Sequence, residues 1–270
     1  MISIVIPLYN QVAYTKLCIK SLRNSDIGDA ELLLIDNGSS DGTAEYLDTC
    51  SDLRLIRNNI NLGCAGAWNQ GVRNTDSEWV VFLNNDVIVS PGWLEGLLGF
   101  AEEEGIDIVS PAIREGEFNY EIKEYGTEFV RIMGSAARHG VADGVCFMVR
   151  RRVFETIGNF DEKFRIGQFE DKDFFRRATA SGFRLGTTGR SFIHHFGSVT
   201  QKSLFKETET KPYEMENRRY FYSKWGLSRW RRIRERRLRK LREFVWRTKE
   251  RLRFGHTLKE KWVDGRLRYF

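Results

Sequence analysis

Three short polar clusters hold the side chains with which this chain could do chemistry. Phe169-Glu170-Asp171-Lys172-Asp173 sets three carboxylates at what reads as the start of a helix. Acids are favoured there by the helix dipole, which is the preferred reading for Asp173. Glu170 and Asp171 adjoin an aromatic loop (Phe160, Phe164, Phe169) able to exclude water, and partial burial moves a carboxylate pKa towards working pH, as a general base requires. Asn84-Asn85-Asp86 ends the apolar run 79–83, so a buried strand delivers two amides and a carboxylate to a sheet edge. One carboxylate suffices to hold magnesium or manganese beside a diphosphate, because phosphate oxygens and water complete the shell; the competing reading is a plain Asn-Asp turn. His194-His195 offers imidazoles as metal or phosphate ligands, or a pair of surface histidines.

Two further turns are suited to binding. Asp36-Asn37-Gly38-Ser39-Ser40-Asp41-Gly42-Thr43 lies between a strand and a helix and could hold a nucleotide edge or phosphate on backbone N–H groups, or serve only as a helix cap. The stretch from Asn61 to Gly71 places small residues at a helix start, where a flat ligand or another backbone approaches closely. Helix-on-sheet packing uses glycine in the same way; Asn61 and Asn69 tilt the reading towards ligand contact. Neither a Gly-x-Gly-x-x-Gly fingerprint nor a Walker loop occurs, which disfavours dinucleotide and P-loop chemistry.

The elements that must position these clusters alternate. Residues 2–6, 31–35, 53–57, 79–83 and 107–109 are β-branched or aliphatic, with helix-like stretches at 13–24 and 43–49 between them. Strand–helix–strand repeats mean a parallel sheet with helices on its faces, and the polar turns follow the C-terminal ends of the strands, where such sheets bind ligands. From about residue 144 the pattern becomes a strand (145–149), a helix (151–157), a helix (171–181) and a strand near 183–186, a second lobe completing one domain. Between 225 and 254 Arg and Lys interleave with Trp230, Ile233, Leu238, Leu241, Val245 and Leu252 at helical spacing.

With 270 residues and 41% hydrophobic content the chain can bury a sizeable core, so disorder is excluded as its main state. The net charge of +6 is polarised: residues 1–140 carry 10 basic and 21 acidic side chains, residues 205–270 carry 22 and 9. The basic tail reads as a helix in an anionic membrane interface or as a solvated helix packed on the catalytic body. Nucleic acid is disfavoured as its partner, because no base-stacking module accompanies it. No apolar run approaches the roughly 18 residues of a spanning helix, and the opening residues lack the basic and small-residue features of a secretory signal. A cytoplasmic location is expected. Cys18, Cys50, Cys64 and Cys146 are scattered singly, as buried thiols are.

Taken together the motifs resemble the family 2 inverting glycosyltransferases of GT-A fold. The resemblance is carried, in order, by Ile4-Val5-Ile6-Pro7-Leu8-Tyr9-Asn10, by Asp36 to Thr43, by Asn61-x-Gly-x-Ala-Gly-Ala-x-Asn69, by Asn84-Asn85-Asp86, by Gly158-Asn159-Phe160-Asp161-Glu162-x-Phe164, by Glu170-Asp171-x-Asp173-x-x-x-Arg177 and by His195-x-Gly197. Within the family it is similar to the bacterial rhamnosyltransferase-like group of cell-surface polysaccharide synthesis.

The resemblance implies an α/β fold of the GT-A nucleotide-diphospho-sugar transferase type over residues 1–204, a mostly parallel central sheet flanked by helices, followed by a basic helical extension over 205–270. It implies transfer of a sugar, with inversion, from a nucleotide-diphosphate sugar to a hydroxyl of a glycan or lipid-linked acceptor. By position, Pro7, Tyr9, Asn10, Asp36, Gly38, Asn61, Gly66, Asn69, Asn84 and Asn85 would surround the nucleotide sugar, with Asp36 accepting from the base. Asp86 would hold a divalent cation, Mn2+ or Mg2+, and His195 would be a further ligand of metal or diphosphate. Asp171 would be the base and Glu170 would contact acceptor or donor beside it. The family's usual Asp-x-Asp reads Asn84-Asn85-Asp86 here, an amide in place of the first carboxylate. Two alternatives stand beside this reading: a sugar-nucleotide-binding protein without catalysis, and a nucleotidyltransferase, which should carry a Gly- and Arg-containing loop where this chain has Pro7-Leu8-Tyr9-Asn10-Gln11.

Overall fold

In the computed structural model, which describes residues 1–197 and 212–270, strand β1 (Ile2–Leu8) sends Ile4, Ile6 and Leu8 to one face of the sheet and Val5 to the other. That is the alternation of a strand covered on both sides. Strands β2 (Glu31–Asp36), β3 (Arg54–Arg57) and β4 (Trp79–Leu83) extend the sheet in the order β4-β1-β2-β3, all parallel. Helix α1 (Val12–Arg23) buries Cys18, Ile19 and Leu22 on the first face, where α2 (Thr43–Asp48) adds Leu47. Helix α3 (Gly63–Arg73) covers the second face with Ala65, Ala67, Trp68 and Val72. A Cβ added at Gly71 would lie 2.4 Å from Val5 Cγ1, so this glycine serves close packing of α3 on β1.

The second lobe runs through β5 (Val87–Val89), α4 (Trp93–Glu103), β6 (Ile108–Gly116), α5 (Ile122–Met133), β7 (Ala137–His139), β8 (Cys146–Arg150), α6 (Arg151–Ile157), α7 (Glu170–Ala180) and β9 (Leu185–His195). Strand β8 lies antiparallel between β4 and β6, while β9 runs parallel to β6 and antiparallel to β5 and β7. The strand expected near 183–186 therefore continues to His195. Both histidines are buried within it, which corrects the surface reading: His194 is fully enclosed, its Nδ1 2.8 Å from the Tyr120 hydroxyl, and burial pushes its pKa down to about 3.

After the basic helices α8 (Pro212–Lys224) and α9 (Arg229–Phe254), the chain forms a hairpin absent from the sequence reading. Strand β10 (Lys259–Val263) pairs parallel with β6, and β11 (Arg266–Tyr269) closes the sheet edge antiparallel to it. The C-terminal segment is thus both helical and part of the central sheet; the expected division at 204/205 lies outside the described residues. Helix α9 starts on a Ser228 side-chain cap and ends at Gly255 in a left-handed turn. Two ion pairs fasten it: Arg176 to Glu235 at 3.2 Å, and the buried bidentate pair of Arg138 with Glu250, 2.7 Å for each bond. Among the described residues no helix is long and apolar enough to cross a membrane. The four cysteines are free, and Cys18, Cys50 and Cys146 are buried.

Candidate active site

The register of β5 on β9 opposes Val87 to His195, which brings Asp86 and His195 together at the sheet edge. Asp86 Oδ2 and His195 Nε2 are 3.3 Å apart, both side chains about 6% exposed. Burial opposes protonation of His195, but the hydrogen bond and charge of Asp86 outweigh it and raise the imidazole pKa. Asn85 beside them is held by its amide donating to Thr15 Oγ1 at 3.0 Å.

On the facing wall stands α7. Its first residue, Glu170, is 4% exposed, and Oε2 has no hydrogen-bond partner among the described residues. Burial, and then the charge of Asp171, push the Glu170 carboxyl up to about 8, so it keeps its proton at neutral pH. Burial also raises Asp171, against the pull of Lys172. The two carboxyls are adjacent and both raised by burial, so they titrate as a pair. Asp171 is pressed against backbone: a Cβ added at Gly144 would meet its Oδ2 at 2.4 Å.

The turn before α7 is bent to put these groups there. Ile166, Gln168 and Phe169 have φ of 60°, 75° and 79°, left-handed values that side chains disfavour. Asn217 on α8 clasps this turn, donating from Nδ2 to the carbonyls of Arg165, Gly167 and Gln168 and accepting from Arg165 N–H at 3.0 Å. Gly63 permits the turn to dock, since a Cβ there would lie 2.8 Å from Ile166 N.

Of the residues singled out from the sequence, Pro7, Tyr9, Asn61, Asn84, Asn85, Asp86, Glu170, Asp171 and His195 line one cleft of about 250 Å³. Others are placed elsewhere. Asn69 is a correction: its amide is spent on the loop after α6, donating to Phe160 O and Glu162 Oε1 and accepting from Phe160 N–H at 2.9 Å, so it braces structure instead of meeting ligand. Gly66 faces Leu62 of its own helix start, again a packing role. Asp36, Gly38 and Asn10 do not line the cleft but build the turn beside it. Asp36 Oδ1 accepts from Ser39 N–H, Asn10 Oδ1 accepts from Ser40 N–H, and Gly38 (φ 78°) packs against the backbone at Asn58 to Ile60. Their neighbour Asn37 enters the cleft instead. Asp173 is structural as expected, fully buried and accepting from Arg177, Lys224 and Trp225.

Residues 3–158 match the sequence model of Glycosyl transferase family 2. The chain belongs to that family. Similar proteins include the glycosyltransferase AglE of Haloferax volcanii, 26% identical over 68% of this chain and 63% of that protein. Another is the minor teichoic acid biosynthesis protein GgaA of Bacillus subtilis, 30% identical over 76% of this chain and 49% of that protein. The chain thus spans about half to three fifths of these relatives' lengths. Among solved structures, S. aureus TarS residues 1–349 in complex with UDP superposes with TM-score 0.58 at 17% identity, covering 73% of this chain and 60% of that one. GalNAc-T7 with UDP, GalNAc and Mn2+ gives 0.60 at 17% identity, over 85% and 52%. The fold of this family 2 member is therefore GT-A.

Lining residues that the sequence reading passed over include Asp143, Gly144, Lys172 and Tyr213. Burial works against the Asp143 carboxylate, but Lys259 of β10, in contact with it, holds its pKa below the ordinary value. The Asp-Gly pair before strand 145–149 was a readable signal, since it repeats the polar turn seen at other strand ends. Asn217 and Lys259 carried none, because their partners are set by tertiary packing alone.

Among the described residues no cluster of three His, Cys, Asp or Glu could hold a metal, so the protein offers two donors, Asp86 and His195. A carboxylate and an imidazole at this spacing, with Nε2 of the ring turned to Asp86, fit a cation whose shell is completed by diphosphate and water.

Because Glu170 is raised in the folded state, its contribution to stability is complete below the ordinary carboxylate range and is lost as pH rises through about 8. Glu170→Gln removes that dependence. Melting curves from pH 5 to 9 should show the variant gaining on the wild type as pH rises; a constant difference would contradict the assignment.

Proposed function

We propose that this chain transfers a sugar from a nucleotide-diphosphate sugar to an acceptor hydroxyl with inversion, in the synthesis of a cell-surface polysaccharide. The supporting observation is that Asp171 and the Asp86–His195 pair line the same cleft. In this reading Pro7, Tyr9, Asn37 and Asn61 receive the nucleoside end, and Asp36 shapes the adjoining turn through Ser39. Asp171 takes the acceptor's proton while that oxygen bonds to the anomeric carbon, and the bond from this carbon to the diphosphate breaks on the opposite face. Neutral Glu170 leaves Asp171 as the single ionised carboxylate of the pair and can donate a hydrogen bond to a sugar oxygen. Asp86 and His195 would hold Mn2+ or Mg2+, which when bound supplies positive charge against the diphosphate.

The outward face of α9 supports a place for this reaction, the inner face of the cell membrane. At about 100° per residue, Trp230, Leu238, Leu241, Val245 and Leu252 fall within an arc of about 80°, and all five are exposed. The helix carries 13 Arg and Lys against three Glu. An exposed Trp and Leu stripe on so cationic a helix matches an anionic lipid interface, in which apolar side chains insert and cations meet headgroups.

Two outcomes are expected. Asp171→Asn should keep the thermal shift given by a nucleotide sugar, screened as UDP, dTDP and GDP forms with manganese, yet lose transfer by at least ~100-fold; near-normal turnover would reject Asp171 as base. In sedimentation, the chain should accompany phosphatidylglycerol vesicles and leave phosphatidylcholine vesicles in solution. The pair Leu241→Glu and Leu252→Glu should abolish the binding, and its persistence would dispose of the interfacial role.

A further inference from the structure

A second cleft shares Asp171 with the first. Helix α9 is fastened near both ends, by Glu235 to Arg176 of α7 and by Glu250 to Arg138 of β7. Between these anchors it bridges a cleft of about 750 Å³. Arg239, Lys240, Arg242 and Arg247 line it from the helix, with Glu243 as the one acidic side chain on that wall. The opposite wall includes Gly144, Asp171 and Lys172, which also line the donor cleft, so the two clefts meet at the base.

The charge on the helix wall is poorly compensated. Glu243 is 3.6 Å from Arg239. Among the described residues Lys240, Arg242 and Arg247 have no carboxylate within ion-pair distance; Arg242 stacks 4.8 Å over Trp246, and Arg247 lies 5.7 Å over Phe244 and donates to the Tyr269 carbonyl at 3.4 Å. Three cations along one cleft wall give it a positive potential that an entering anion would meet. Guanidinium and ammonium groups on one wall, with Lys172 facing them, suit a multiply charged phosphate ester better than a single carboxylate. Phe175, Phe244 and Phe270 give the remaining lining an apolar character.

We propose that the cleft beneath α9 is the acceptor subsite and that its ligand is a glycan bearing phosphate next to the hydroxyl that is glycosylated. This rests on Asp171 being the base: a hydroxyl at Asp171 with its phosphate under Lys240 and Arg242 would lie in the cleft that Asp86 and His195 do not line. The subsite is completed by residues far along the chain from the family 2 motifs, so acceptor choice is separated from donor choice.

The test is calorimetry on the full chain first saturated with the nucleoside diphosphate that gives the largest thermal shift, which fills the donor cleft. Inorganic pyrophosphate, glucuronate and methyl glucoside are then titrated. Pyrophosphate should bind saturably, with affinity falling as salt rises, and the pair Lys240→Gln and Arg242→Gln should weaken it at least ~10-fold while nucleotide affinity is unchanged. Failure of the nucleotide to bind would count against the donor site alone, and pyrophosphate binding would then be read by the Lys240 and Arg242 variant. No saturable pyrophosphate binding, binding indifferent to these substitutions, or glucuronate binding as tightly as pyrophosphate would each overturn the proposal.

Discussion

Ile166, Gln168 and Phe169 occupy the left-handed region within four successive positions, at a cost of about 1–3 kcal/mol each. That strained turn aims the first two residues of α7, and the chemistry proposed for the site depends on its staying bent. What offsets the cost comes from outside the turn. Asn217 satisfies three carbonyls and an amide, Cys64 N–H donates to the Ile166 carbonyl at 2.7 Å, and Phe164 and Phe169 are buried with Phe221 and Leu227 from the segment after α7 and β9. Helix α8 thereby acts as a clamp on the catalytic turn, and its Lys224 and Trp225 flank repeats the grip on Asp173.

Beneath the site the sheet carries a close-packed aromatic cluster. Trp68, Phe82, Phe147 and Phe160 meet with ring centres 4.9 to 6.1 Å apart, tilted contacts that add to their area burial. Asn69 ties the loop bearing Phe160 to α3. The Asp86–His195 pair is placed by strand register and the Glu170–Asp171 pair by the strained turn, so the two clusters are positioned by independent parts of the fold. The common element is Gly144, whose missing side chain lets Asp171 rest on the backbone entering β8.

Much of this was legible in the sequence because it is local. The aliphatic runs of β1, β2 and β4 and the polar turns closing them read directly, as did the acidic start of α7 and the amphipathic α9. Asp86, Asp171 and His195 were found by type and position, and the structure brings them to one cleft. What could not be read depends on pairing between distant segments. The expected strand stops at residue 186 because Gly189 and Arg190 interrupt its apolar pattern, and the structure places them in an irregularity of β9, where the partners of Pro111 and Ala112 on β6 jump from Thr188 to Phe192. Helix α4 was missed because Gly96 and Gly99 dilute a helical face that Trp93, Leu97 and Phe100 fill. Asn69 was read as a ligand contact because an amide gives the same signal whether it binds a loop carbonyl or a nucleotide. The hairpin of β10 and β11 is short, charged and stabilised by β6, so its own residues do not announce it.

The central claim is that one carboxylate, Asp171, accepts the acceptor's proton, its pKa lifted by burial while its neighbour Glu170 stays protonated. The most direct measurement is the pH dependence of single-turnover transfer at saturating donor and cation. The account predicts a rate that falls towards acid with its inflection above the ordinary aspartate range, and that loses this acid limb in Asp171→Asn. A rate flat down to pH 4, or an acid limb that survives the substitution, would contradict it.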